Sequence, residues 1–246
     1  MPSPTPSPLV DRIALVTGGS RGLGAAIVRR LASDGARVGV LDVLPPEDLP
    51  PGTWYAEADV TDPAQVNEAV DAFATAAGGL DVVVNNAGVL SGRSSYLDLD
   101  REALLRFLTV NVVGCVLVTQ AAHPHVVASP HGAVINVASR TFFTAPPGQL
   151  GYVASKGAVI GLTRSLAREL GEHEVTVNAV MPGQVSTPGT REHSDEATFD
   201  ATMRRQAIRR RVQPEDLAGL VAFLAGNDAR LITGQTIICD GGGHMH

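Results

Sequence analysis

From Ile13 onward, short runs of β-branched and aliphatic residues alternate with longer stretches in which apolar positions recur every three or four residues. The short runs read as strands at residues 13–16, 37–41, 54–56, 82–84, 133–137, 176–180 and 236–239. Several are apolar at every position, as expected of parallel strands covered on both faces. The longer stretches fit amphipathic helices at 23–33, 63–76, 101–127, 152–171 and 215–225. Asp62-Pro63 and Gln213-Pro214 have the form of helix starts, with proline in the first turn, where its missing N–H costs little. Strand followed by helix, repeated, predicts an α/β protein with a parallel sheet. No linker divides the pattern, so one domain is expected over residues 11–246 after a disordered tail at 1–10. Two irregular stretches, 43–52 and 183–194, are rich in Pro, Gly or Ser, and the second falls where a substrate lid over about 184–211 is expected.

Composition narrows this picture. The 246 residues are 44% hydrophobic and 18% charged, which suits a packed core rather than a disordered chain. A net charge of -6 argues against a nucleic-acid surface, and the clusters Arg204-Arg205 and Arg209-Arg210-Arg211 read as a solvated helix face. Cys115 and Cys239 stand far apart in apolar stretches, which predicts buried free thiols, a reducing compartment and no metal site. Residues 1–8 lack the basic and apolar regions of a signal peptide. Residues 104–122 are interrupted by Arg106, Asn111 and Gln120, whereas a spanning helix wants about 20 mostly apolar residues. The expectation is a cytoplasmic protein with no membrane or nucleic-acid partner.

Thr17-Gly18-Gly19-Ser20-Arg21-Gly22-Leu23-Gly24 follows the first strand and opens the first helix. Glycines there let the main chain turn tightly against a pyrophosphate, while the helix start offers unpaired N–H groups and a positive dipole end. Gly18, Ser20, Arg21, Gly22, Leu23 and Gly24 are thus candidate cofactor contacts. Asp42 ends the second strand, where a carboxylate would accept hydrogen bonds from adenosine ribose hydroxyls and repel a 2′-phosphate. Arg21 argues the other way, but no basic residue follows Asp42 to help it. NAD(H) is expected over NADP(H).

Tyr152 and Lys156 lie four apart, on one face of a helix. A nearby ammonium stabilises a phenolate and moves the tyrosine pKa from about 10 toward a working range. Composition adds weight: of 19 Lys and Arg residues, Lys156 is the only lysine. A compact ammonium with three donors fits beside a phenol where the planar arginine fork does not.

Together these motifs resemble the short-chain dehydrogenase/reductase family. The likeness runs from Asp11 to Gly243 through the glycine turn, Asp59-Val60, Asn85-Asn86-Ala87-Gly88, Asn111, Ser139, Tyr152 with Lys156, Pro182-Gly183, Thr187 and Asp240-Gly241-Gly242. The resemblance implies a Rossmann-like doubly wound parallel sheet of seven strands, with helices on both faces. It implies that Asp59 and Val60 hold the adenine, that Asn86, Ala87 and Gly88 line the cofactor, that Pro182, Gly183 and Val185 adjoin it, and that Thr187 binds the nicotinamide carboxamide. It further implies that Ser139 binds the substrate oxygen, Tyr152 exchanges its proton, Lys156 holds the nicotinamide ribose and Asn111 anchors a water-borne proton relay. Taken singly, Asn111 also fits a satisfied core residue and Ser139 a strand cap. A homotetramer is implied as well.

Substrate choice is assigned to residues 91–96, 140–149 and the lid. Phe142, Phe143, Pro146 and Pro147 form either an apolar pocket for a hydrophobic alcohol or ordinary packing, with Tyr96 a further candidate, and Gln149 and Gln184 join the lining. Arg140 either meets a substrate carboxylate or points to solvent or a partner subunit. His244 and His246 read as a mobile tail. The expected activity is NAD(H)-dependent interconversion of a secondary alcohol and a ketone. A 3-oxoacyl-carrier reductase using NADPH is the alternative, and a non-catalytic nucleotide sensor is the alternative of another class.

Overall fold

A computed structural model describes residues 8–90 and 93–245. Its elements run β1 (Ile13–Thr17), α1 (Gly22–Ser33), β2 (Arg37–Asp42), β3 (Trp54–Glu57), α2 (Pro63–Ala77) and β4 (Val82–Asn85). Next come α3 (Arg101–Leu108), a π-helical turn at Thr109–Val113, α4 (Gly114–Val126), β5 (Ala133–Val137) and α5 (Thr141–Thr144). The chain closes through α6 (Leu150–Glu169), β6 (Thr176–Pro182), α7 (Pro188–Arg191), α8 (Glu196–Arg204), α9 (Pro214–Ala225) and β7 (Thr236–Cys239). All seven strands pair parallel in the order β3-β2-β1-β4-β5-β6-β7. The direction of winding reverses between β1 and β4, which opens a crevice at the carboxyl ends of the strands, where doubly wound sheets bind ligands.

Strand alternation builds two cores. Ala14 and Val16 of β1 join Ile27, Val28 and Leu31 of α1 and Val221 and Leu224 of α9 on one face, while Leu15 joins Val70 and Phe73 of α2 and Val118 and Ala122 of α4 on the other. Helix starts follow their capping chemistry: Asp62 Oδ1 accepts the N–H groups of Ala64 at 2.9 Å and Gln65 at 3.2 Å, and Asp216 Oδ2 accepts Gln213 N–H at 2.8 Å.

Four sequence expectations change here. The disordered tail does not extend to residue 10, because Leu9 is fully buried in the α1/α9 core and its N–H bonds Asp34 O; residues 1–7 lie outside the described residues. The stretch 183–194 is not all irregular, since it carries α7, capped by Thr187, and α8, capped by Asp195, follows within the expected lid. Arg209–Arg211 follow α8 rather than forming a helix face. Finally, Arg101–Val126 does reach the length and hydropathy, 1.7, of a membrane span despite Arg106, Asn111 and Gln120. Part of its apolar surface is spent inside this fold, where Val118, Ala122 and Val126 pack under the sheet.

Candidate active site

The glycine turn is shaped by contacts that admit no side chain. A Cβ on Gly18, whose φ is +62°, would lie 2.8 Å from Ala87 Cα, and one on Gly24 would overlap the Gly18 carbonyl oxygen and sit 2.6 Å from Asn86 Nδ2. Asn86 holds the turn from β4 by donating Nδ2 to Thr17 O at 3.0 Å and Gly18 O at 2.8 Å. Thr17 Oγ1 accepts the N–H groups of Asn86 and Ala87 in return. Arg21 supplies no side-chain cap to α1, and the first helical bond is Ala25 N–H to Arg21 O at 3.2 Å. The N–H groups ahead of it have no intrahelical partner, the arrangement that receives a phosphate.

These residues wall a cavity of about 630 Å³ that runs past Asp42, Asp59, Val60, Asn86, Ala87 and Gly88 to Tyr152, Lys156, Pro182, Gly183, Val185 and Thr187. Of the expected cofactor contacts only Ser20 stands off its lining. It is 3% exposed and serves Asp42 instead, giving its N–H to Asp42 Oδ2 at 2.9 Å and its hydroxyl to Leu44 O. Leu44 N–H bonds the other oxygen of Asp42 at 3.1 Å, so the carboxylate is oriented at the cavity wall. An elongated crevice with a glycine cradle, a free helix start and an acidic group at the second strand fits a dinucleotide.

Catalytic candidates converge at the far end. Lys156 is buried on α6, donates from Nζ to Val137 O at 2.7 Å and lies 5.9 Å from the centre of the Tyr152 ring. Phe107 meets that ring edge-on at 6.5 Å. Ser139 is hydrogen-bonded to the Tyr152 phenol and accepts Thr141 Oγ1 at 2.9 Å. Asn111 sits in the π-helical turn, where Oδ1 accepts Val89 N–H at 2.8 Å and Nδ2 donates to Val89 O at 3.2 Å and Ser155 Oγ at 3.0 Å. Its satisfied, fully buried state matches the core-residue alternative, and it lines neither cavity, standing behind Gly88 of the cofactor wall.

Electrostatics differ from the expectation. Burial pushes the Tyr152 phenol above its ordinary value, only partly offset by the Ser139 hydrogen bond, and pushes the Lys156 ammonium down. The lysine therefore does not bring the phenol toward neutrality in the protein alone: desolvation is the largest influence on both groups, and Lys156 is not among the groups that shift Tyr152. Cys115, packed behind, is pushed up to about 11 by burial and stays a thiol.

A second cavity of about 770 Å³ shares the Leu90, Ser139, Tyr152, Gly183 and Thr190 wall with the first. Arg140, Pro146, Pro147, Gln149 and Gln184 line it as expected. Phe142 and Phe143 do not: Phe142 fills the gap left by Gly157 on α6, and Phe143 stacks on His244 at 4.6 Å. That stacking also removes His244 from a mobile tail, and His246 lies outside the described residues. Tyr96 stands 68% exposed and off the lining, and residues 91 and 92 lie outside the described residues.

Within the stretches assigned to substrate choice, Arg93, His193, Asp195 and Arg205 also line the second cavity, although Arg205 reads in sequence as part of a solvated cluster. What sequence reasoning missed is a polar clamp between two strands. Asn85 and Asn136 join β4 to β5 by a 2.8 Å hydrogen bond, with Asn85 reaching Thr119 of α4 and Asn136 reaching Thr163 of α6. An asparagine inside an otherwise apolar strand is the signal that could have found that clamp.

The family described as Enoyl-(Acyl carrier protein) reductase matches residues 18–244. A 3-alpha-(or 20-beta)-hydroxysteroid dehydrogenase of Mycobacterium tuberculosis is 37% identical over 240 residues, covering 95% of this chain and 90% of its own. Among solved structures, a short-chain dehydrogenase from Burkholderia cenocepacia in complex with NADP superposes with a TM-score of 0.85 at 38% identity, over 96% of this chain and 99% of that one. A 3-ketoacyl-(acyl-carrier-protein) reductase from Brucella melitensis complexed with NADH superposes with a TM-score of 0.87 at 30% identity, over 96% and 100%. With these likenesses spanning the sheet, the glycine turn and the Tyr152–Lys156 helix together, the chain belongs to the short-chain dehydrogenase/reductase family of oxidoreductases acting on CH–OH groups.

Proposed function

We propose that the protein interconverts a secondary alcohol and a ketone with NAD(H), using Tyr152 as general acid and base. The observation that carries this reading is the shared wall: Ser139 and Tyr152 face the dinucleotide-shaped cavity on one side and the second cavity on the other. When bound, the nicotinamide supplies the two-electron acceptor or donor. Ser139 Oγ and the Tyr152 phenol together grip the reacting oxygen, and Tyr152 takes its proton in oxidation or returns it in reduction. Lys156 lines only the first cavity; with one Nζ donor on Val137 O, the others serve ribose hydroxyls. A Cβ on Gly88 would lie 3.0 Å from Asn111 Oδ1 and 3.6 Å from Lys156 Nζ, so only glycine lets the cofactor wall pass this close to both polar groups; a proton relay through Asn111 rests on the family resemblance.

NAD(H) preference rests on Asp42, whose oriented carboxylate would repel a 2′-phosphate. The second reading, an NADPH-linked 3-oxoacyl thioester reductase, draws on Arg21 at the same cavity and on the NADP-bound Burkholderia relative. The deciding experiment measures kcat/KM with NAD and NADP against alcohols, sugars and hydroxyacyl thioesters, followed by reduced-nicotinamide absorbance. A preference for NAD with secondary alcohols supports the proposal; a large preference for NADP with thioesters replaces it, and no turnover leaves a nucleotide sensor. A homotetramer is proposed on the exposed apolar residues Leu105, Val113 and Leu150 along α3, the π-helical turn and the start of α6, and a monomer by light scattering would refute it.

A further inference from the structure

The second cavity is not the apolar pocket that Phe142 and Phe143 would make. Its walls carry three guanidinium groups, from Arg93, Arg140 and Arg205, in a chain whose net charge is -6. The one carboxylate among the described lining residues, Asp195, is engaged with its own helix, accepting Thr198 N–H at 2.9 Å and Thr198 Oγ1 at 2.6 Å. Arg140 directly follows Ser139 and is the least exposed of the three, its side chain 16% exposed against exposed Arg93 and Arg205. Asp240, itself 2% exposed, holds it by charge at 3.9 Å, beyond hydrogen-bond reach, so the guanidinium donors stay uncommitted. Among the described residues no hydrogen bond leaves the Arg93, Arg140 or Arg205 side chains. Arg210 and Arg211, a few residues on, are by contrast closed onto Asp216 and Asp200 at 2.6 Å.

Asp240 balances the Arg140 charge without taking its hydrogen bonds, and a planar guanidinium fork with unused donors matches a carboxylate through two parallel hydrogen bonds. Exposed cations at the mouth raise the local concentration of such an anion. A cavity of about 770 Å³ is within the usual range for a small-molecule site. We infer that the substrate is a small hydroxy acid, with its oxo acid as product, and that Arg140 receives the carboxylate while Arg205 and Arg93 draw it in. This rests on the alcohol–ketone reading above and narrows its substrate class.

The test compares 3-hydroxyalkanoates of four to eight carbons with their methyl esters and N-acetylcysteamine thioesters, using NAD. The acid should exceed the ester at least tenfold in kcat/KM, and added NaCl should erode that preference. Arg140→Gln should reduce the acid-to-ester ratio at least tenfold and Arg140→Lys should restore part of it, an outcome a merely structural contact with Asp240 would not produce. Because Arg140→Gln leaves Asp240 buried without its cation, the exposed Arg205→Gln serves as the second variant and should lower the ratio several-fold. Calorimetry adds a readout free of turnover: with NAD present, hexanoate should bind at least tenfold tighter than hexanamide. Equal or reversed preference for ester or thioester, with alcohol oxidation intact, overturns the hydroxy-acid inference and leaves the oxidoreductase reading standing. Absence of turnover on every compound defeats that reading instead, and hexanoate binding no tighter than hexanamide overturns the carboxylate site in either case.

Discussion

Replacing Lys156 with methionine should make the protein more stable while nearly abolishing its activity. Lys156 is 5% exposed, and no carboxylate pairs with it among the described residues. An uncompensated buried ion costs several kcal/mol, against which the charge-assisted bond to Val137 O returns about 1.5–3 kcal/mol. Methionine has a similar length and no charge, so a net gain of about 1–2 kcal/mol is expected, or roughly 2–8 °C in Tm for a chain of this size. The pH dependence carries the sharper test. Because burial lowers the Lys156 pKa from 10.5, the unfolded chain holds more protons than the folded one between the lowered value and 10.5. Stability of the wild-type protein therefore rises with pH through that window. The advantage of Lys156→Met should be greatest at neutral pH and shrink as pH approaches 10.5, while kcat/KM falls about 10²–10⁴-fold. Calorimetric melts of both proteins across pH 7 to 10 would measure it. A variant less stable at neutral pH, or a difference that does not narrow, refutes the account of Lys156 as an unpaired buried charge.

Other perturbations probe the remaining parts. Tyr152→Phe should lower turnover about 10²–10⁴-fold while circular dichroism and Tm stay near wild type, since the edge contact with Phe107 survives. Because burial holds the Tyr152 phenol protonated well into the alkaline range, ketone reduction should persist at neutral pH and alcohol oxidation should climb as pH rises; pH–rate profiles in both directions would check the sign. Gly24→Ala forces a methyl against Gly18 O and Asn86 Nδ2, so NAD binding by calorimetry should weaken beyond detection, with about 1–3 kcal/mol lost in denaturant melts. Leu9→Ala should cost about 2–5 kcal/mol in the same melts, where a residue in a loose tail would cost nothing.

Strands and the glycine turn were legible because their signals are local. Parallel strands buried on both faces, such as β4 and β5, have nowhere to place polar residues, and so read as unbroken apolar runs apart from Asn85 and Asn136. The turn at Gly18–Gly24 needs particular backbone shapes that few sequences supply. What stayed hidden depends on distant partners. Leu9 is one apolar residue in a proline-rich stretch and has no period to announce it, yet α1 and α9 form its pocket. Phe142 could not be placed without knowing that Gly157, on another element, leaves a gap of its size. The pKa of Tyr152 turned on burial, a property of the assembled fold that the spacing to Lys156 does not contain.

Lys156 has a consequence for labelling chemistry. As the only lysine, it is the one side-chain amine in the sequence, so an outer surface rich in arginine offers no lysine to amine-selective reagents. Acylation located at Lys156 reports entry into the dinucleotide cavity, which that buried side chain lines. Peptide mass spectrometry of acylation at this residue thus becomes an occupancy gauge. The protection conferred by any nucleotide can be read directly, with no substrate in hand.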